Sequence, residues 1–125
     1  MPSNIDFSSR LVCSIQVKDH RAASAWYNDA LGCNMLFESE QMGMSFMDTP
    51  VPGVSLDLSQ VENPRAEGGA TLVWGVKNLD DSRAILESKG IRFDGPTRVY
   101  DGMVKLATFF DPDGNTLMLF ESLSS

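Results

Sequence analysis

Histidine is nearly missing from this chain: one, His20, in 125 residues. Zinc, nickel and iron centres lean on imidazole, so a mechanism that needs several histidines from one chain is excluded. Cysteine is scarce as well. Cys13 and Cys33 are too few for a disulfide framework, and their spacing fits no metal motif. Both fall in strand-like stretches, where a free thiol behaves as a small buried hydrophobe. Clusters of Lys and Arg are absent too. Ten basic against seventeen acidic residues leave a net charge of −7, which argues against binding a nucleic-acid backbone. No apolar run approaches the roughly 20 residues of a membrane span. The polar first ten residues lack the apolar centre of a signal peptide. The expectation is a cytoplasmic, acidic protein with neither a nucleic-acid nor a membrane partner.

What is present is a core-forming composition, 42% apolar, over a length that suits one domain. In Leu11–Val17 the large apolar residues Leu11, Cys13, Ile15 and Val17 alternate with Val12, Ser14 and Gln16, the pattern of a strand. Asp19 stands where a helix N-cap belongs. His20–Leu31 then places Ala23, Trp26, Tyr27, Ala30 and Leu31 at helical spacing, and Gly32 closes it. Strand-like runs follow at 34–39, 43–48 and 54–58, with Pro50, Pro52 and Gly53 parting the last two. Residues 60–69 (QVENPRAEGG) have the composition of a linker.

After that linker the order returns. Residues 71–76 read as a strand, Asn78 or Asp80 can cap, 81–89 read as a helix closed by Gly90, and strand-like runs follow at 91–93, 97–100, 104–110 and 116–120. Val17-Lys18-Asp19 answers to Val76-Lys77-Asn78 at an offset of 59, and Gly32 to Gly90 at 58. The simplest description is an α+β fold: two βαβββ modules in tandem, about 10–60 and about 70–122, forming curved mixed sheets around a cleft within a single domain of residues 1–125. Two copies cannot stack as a solenoid.

The segment Phe109-Phe110-Asp111-Pro112-Asp113-Gly114-Asn115-Thr116-Leu117-Met118-Leu119 is the most specific signal. It is a hairpin in which Pro112 presets φ, Asp111 bonds forward and Gly114 supplies positive φ. With Val17-Lys18-Asp19, Ser24-Ala25-Trp26-Tyr27, Leu31-Gly32, Val76-Lys77-Asn78-Leu79 and Gly90-Ile91, it resembles the vicinal oxygen chelate superfamily: glyoxalase I, bleomycin-resistance proteins and extradiol dioxygenases. The resemblance spans residues 10 to 121. It implies a pair of βαβββ modules enclosing a ligand site, and a homodimer.

The resemblance also implies four metal-ligand positions, one on each of four strands facing the cleft, around a divalent ion that polarises vicinal oxygens. Counted from the matching motifs they fall on Val12, Asp57 (in Leu56-Asp57-Leu58), Thr71 and Met118. One carboxylate and one hydroxyl do not hold such an ion against water, so no metal ligand and no cofactor is expected here. Glu121, three residues past Met118, lies on the other face of its strand, and His20 lies on the first helical turn, away from the cleft and exposed or capping.

The cleft face that the family geometry implies is Val12, Ser14 and Gln16; Ser55 and Asp57; Thr71, Val73 and Gly75; Thr116, Met118 and Phe120, with Phe46, Tyr100 and the methionines 35, 42, 44, 47 and 103 around it. Mostly small and apolar walls with a few polar groups suit an organic ligand, and methionine adapts to varied shapes, although several of these surrounding side chains are expected as core or dimer contacts. Asp57 stands out. It could anchor a basic nitrogen, act as a catalytic acid/base, or pair with Lys105 or Arg98. The leading expectation is a protein that binds or sequesters a small hydrophobic or aromatic compound. The alternatives are a lyase or isomerase, metal-free with Asp57 as acid/base or with an atypical divalent ion, and a non-catalytic interaction module.

Overall fold

The computed structural model describes residues 4, 6, 8–64 and 71–123. Positions 65–69 of the expected linker, like the chain ends, lie outside the described residues. The chain divides into two compact units, one ending at Pro64 and the other taking the rest.

In the first unit, strand β1 (Leu11–Val17) leads through helix α1 (His20–Leu31) to β2 (Asn34–Ser39), β3 (Met44–Asp48) and β4 (Val54–Gln60). The sheet order is β1-β4-β3-β2, with β1 parallel to β4 and the other pairs antiparallel. Sequence chemistry sets the bounds of α1. Asp19 Oδ1 accepts from the Arg21 and Ala22 N–H groups at 3.0 and 3.2 Å, and Gly32 ends the helix at φ 75°. Ala23 and Tyr27, one turn apart, pack onto the sheet with Val17, Cys33, Met47, Leu56 and Leu58, all buried. Each large side chain of this set contributes about 1.5–3 kcal/mol by leaving water.

The second unit repeats the plan with β5 (Leu72–Gly75), α2 (Leu79–Ser88), β6 (Arg98–Tyr100), β7 (Val104–Phe110) and β8 (Thr116–Ser122), in the order β5-β8-β7-β6. Its core is Leu79, Leu86, Ile91, Ala107, Phe109, Leu117 and Leu119. Asn78, one of the two expected caps, accepts from the Asp81 N–H at 3.0 Å, and the helix begins at Leu79, two residues before the expected start. The run expected as a strand at 91–93 is reduced to one bridge, Phe93 to Phe109. Asp94 still donates its N–H to Thr108 O at 2.8 Å, but Gly95 at φ 73° and Pro96, which has no N–H, turn the chain out before β6 resumes. Arg83 fixes that turn, bonding Thr97 Oγ1 and Gly95 O at 3.1 and 2.8 Å while its guanidinium lies over the Phe93 ring.

The duplication reaches individual hydrogen bonds. In each unit a side chain from the last strand caps the first amide of the helix: Gln60 Oε1 accepts from His20 N at 3.0 Å, and Glu121 Oε1 from Leu79 N at 2.7 Å. The hairpin signature is built as its residues predict. Asp111 is buried, its Oδ1 accepting from the Asp113 and Asn115 N–H groups and its Oδ2 from Asn115 Nδ2, while Gly114 takes φ 84°. No helix among the described residues is long and apolar enough to cross a membrane.

Candidate functional site

Each sheet carries its helix on one face and leaves the other open. Alternation assigns the residues: in β4 the buried Leu56 and Leu58 point to α1, so Ser55, Asp57 and Ser59 point away. The parallel register sets Val12 beside Ser55, Ser14 beside Asp57 and Gln16 beside Ser59. From β3, Phe46 is the cross-strand partner of Asp57, and Met44 that of Ser59. The face turned from α1 therefore carries the hydroxyls of Ser14, Ser55 and Ser59, with Ser55 buried at 3% exposure, and two carboxylates, Asp57 across from Phe46 and Asp48 across from Ser55, with Val12 at its edge.

Asp57 is half-buried and held by its neighbours. Ser59 Oγ donates to Oδ1 at 2.9 Å and Ser14 Oγ to Oδ2 at 3.4 Å. The structural pairing considered from sequence does not match these contacts: Lys105 is engaged at 3.0 Å by Asp80 Oδ2, a hydrogen bond that raises the lysine pKa above its ordinary value. Arg98 lies on the open face of its own sheet, in register with Leu106.

In the second sheet Leu117 and Leu119 point to α2, which leaves Thr116, Met118 and Phe120 on the open face. Val73 registers with Met118 and Gly75 with Phe120; Tyr100, through Val104, shares that side. Gly75 lets the Phe120 ring lie close over its bare backbone: a Cβ there would stand 3.0 Å from the ring, which would have to shift to admit it. Thr71 lies just ahead of β5, exposed and outside the ladder.

Two of the surrounding methionines lie on the core side of the sheet, in keeping with the reading of several of them as core contacts. Met47 is 1% exposed in the core under α1, and Met35, its cross-strand partner, shares that side. Phe37, which the sequence reading passed over, is on the open face beside Phe46. A register shift between Met35 and Phe37 turns it there, where plain alternation would have sent it to the helix side. Ser59 was also passed over, although its place two residues after Asp57 was enough to find it.

His20 corrects a second expectation. It is 2% exposed, not solvent-facing: Nδ1 lies 2.8 Å from Ser45 Oγ and Nε2 3.2 Å from Glu40 Oε1, all on the helix side of the sheet. Ser45 is fully buried, so this Ser-His-Glu line is closed to substrates and acts as a structural link between α1 and the β2–β3 hairpin. Glu121 is likewise committed to capping α2. Cys33 is sealed in the core, and burial, with the Asp48 charge added, pushes its thiol pKa up to about 11. Among the described residues no three His, Cys, Asp or Glu side chains come together as a metal ion would require.

Residues 10–119 match the family model of the Glyoxalase/Bleomycin resistance protein/Dioxygenase superfamily. No curated protein sequence matches the chain. Among solved structures, a member of that superfamily from Sphaerobacter thermophilus is 22% identical with a TM-score of 0.78, over 93% of this chain and 98% of the other. TnmS3, an antibiotic binding protein from a Streptomyces species, is 23% identical with a TM-score of 0.77, over 95% and 99%. A lactoylglutathione lyase from Agrobacterium tumefaciens is 20% identical with a TM-score of 0.72, over 96% and 94%.

Proposed function

Because the chain belongs to the glyoxalase/bleomycin resistance protein/dioxygenase superfamily, we propose that it binds a small hydrophobic or aromatic compound on the open faces of its sheets, without the divalent metal that many relatives use. One observation carries this reading. At the four strand positions where such relatives ligate metal, this chain has Val12, Asp57, Thr71 and Met118. A valine offers no donor, a thioether is a poor ligand for a hard divalent ion, and Asp57 already accepts from two serines. The donor set does not fit a divalent ion. The first sheet instead offers Phe37 and Phe46 beside serine hydroxyls, and the second offers Met118 and Phe120 beside threonine hydroxyls, each the make-up of an organic-ligand surface. Similarity to TnmS3, an antibiotic binding protein, supports the same reading.

The ligand-binding residues in this proposal are Val12, Ser14, Gln16, Phe46, Ser55, Asp57, Thr71, Val73, Tyr100, Met118 and Phe120, in a cytoplasmic homodimer. Elemental analysis of protein purified without chelator tests the metal: a tightly held transition ion at one per chain overturns the proposal. A thermal-shift screen over aromatic antibiotics and small dicarbonyls tests the ligand. Occupancy of the native state stabilises by about 2.7 kcal/mol at roughly 100 times Kd, which reads as a rise of several degrees.

A lyase or isomerase reaction with Asp57 as acid/base is the second reading. It is favoured by the way Ser14 and Ser59 orient that carboxylate. Turnover that Asp57→Asn abolishes while ligand binding survives would establish it.

A further inference from the structure

We propose that the compound taken by the first sheet carries a protonated nitrogen on an aromatic frame, and that Asp57 holds this nitrogen beside the Phe46 ring. The inference rests on the binding function proposed above and names its ligand class. A carboxylate has about four lone-pair sites, and the two serine hydroxyls occupy two of them, so Asp57 retains acceptor capacity on both oxygens. Ser14 and Ser59 orient the group without neutralising it, and among the described residues no Lys or Arg forms an ion pair with it. The carboxylate thus remains open to a cation on both of its oxygens.

Phe46 stands directly across from Asp57, with Phe37 next in the same row. Cross-strand partners bring their Cβ atoms to about 5 Å, so a cation at the carboxylate comes within reach of the Phe46 ring face. One carboxylate plus an aromatic wall is what an organic ammonium needs. A divalent metal needs three or more donors, and the adjoining Val12 supplies none. The net charge of −7 draws cations toward the chain generally.

Fluorescence titration with 9-aminoacridine, a planar cation at neutral pH, and acridone, its uncharged tricyclic counterpart, tests the proposal. Wild-type protein is expected to bind the cation at least about tenfold more tightly than acridone, the size of a charge-assisted hydrogen bond. Asp57→Asn, which can keep the serine contacts, is expected to erase that preference by weakening 9-aminoacridine at least about tenfold more than acridone, while Phe46→Leu weakens both probes. Should the asparagine variant misfold, Asp57→Ser takes its place with the same expectation, loss of the preference for 9-aminoacridine over acridone. Equal affinity for both probes, or an equal loss of both in Asp57→Asn, overturns the cation proposal and leaves the binding function standing. Binding of neither, together with no response in the thermal-shift screen, overturns both.

Discussion

Removing the Ser45 hydroxyl is the sharpest test of the helix-side packing. Ser45 and His20 are both buried, with Oγ 2.8 Å from Nδ1, and the same hydroxyl donates to the His20 carbonyl at 3.3 Å. Ser45→Ala deletes these contacts and leaves a ring nitrogen inside the protein with nothing to bond. Such a stranded polar atom costs about 1–3 kcal/mol. His20→Leu is milder, because the serine keeps the backbone carbonyl at position 20; it removes one hydrogen bond, about 1 kcal/mol, and the contact to the exposed Glu40, worth about 0–1 kcal/mol. In the double variant neither polar group is stranded, so its loss falls short of the sum of the singles by about 1 kcal/mol. Urea unfolding followed by far-UV circular dichroism measures all three, and a loss of 2 kcal/mol moves the midpoint by roughly 1 M. Additive losses within about 0.3 kcal/mol, or a Ser45→Ala cost below about 0.5 kcal/mol, would refute the buried coupling.

The two helix caps should differ in strength. Glu121→Ala frees the Leu79 N–H and removes a charge from a helix N-terminus, so a loss of about 1.5–3 kcal/mol is expected, against about 0.5–1.5 kcal/mol for Gln60→Ala. Equal losses in urea unfolding would contradict the contribution of charge. The Cys33 thiol gives a pH signature. Its folded pKa lies near 11 against an ordinary 9.0, so the folded state retains a proton that the unfolded chain sheds. The stability this contributes is complete below pH 9 and is lost as pH rises toward 11; Cys33→Ala should flatten that decline relative to wild type. Thiol-reactive probes at neutral pH should accordingly label the half-buried Cys13 well before Cys33.

Much of the fold was legible because it is written in local signals. Asp19 and Gly32 mark the ends of α1, and alternation about Leu56 and Leu58 fixes the face of Asp57. The duplication of Val17-Lys18-Asp19 in Val76-Lys77-Asn78 announces the second module. What escaped depends on contacts between distant residues. Phe37 changes face because β2 carries a register shift, which no period of two can reveal. His20 is buried because Ser45, 25 residues on in strand β3, offers its ring a partner. The serines around Asp57 show the same limit, since Ser59 follows from its own strand while Ser14 needs the parallel register. Residues 91–93 have a strand's composition, yet Gly95 and Pro96 interrupt the ladder they would have joined.

The parallel pairing of β1 with β4 has a kinetic meaning. The β2–β3 hairpin closes across a few residues, but Ser14 meets Asp57 across 43, the span of nearly the whole module. Closing so long a loop costs more entropy than closing a hairpin, and its ladder pairs the first strand with the last one synthesised. Asp57 therefore acquires both of its serines only when the two ends of the module have come together. A chain caught partway, with helix and hairpin already formed, displays Phe37 and Phe46 without the anchored carboxylate beside them. The serine-held carboxylate thus marks a first module whose two ends have paired.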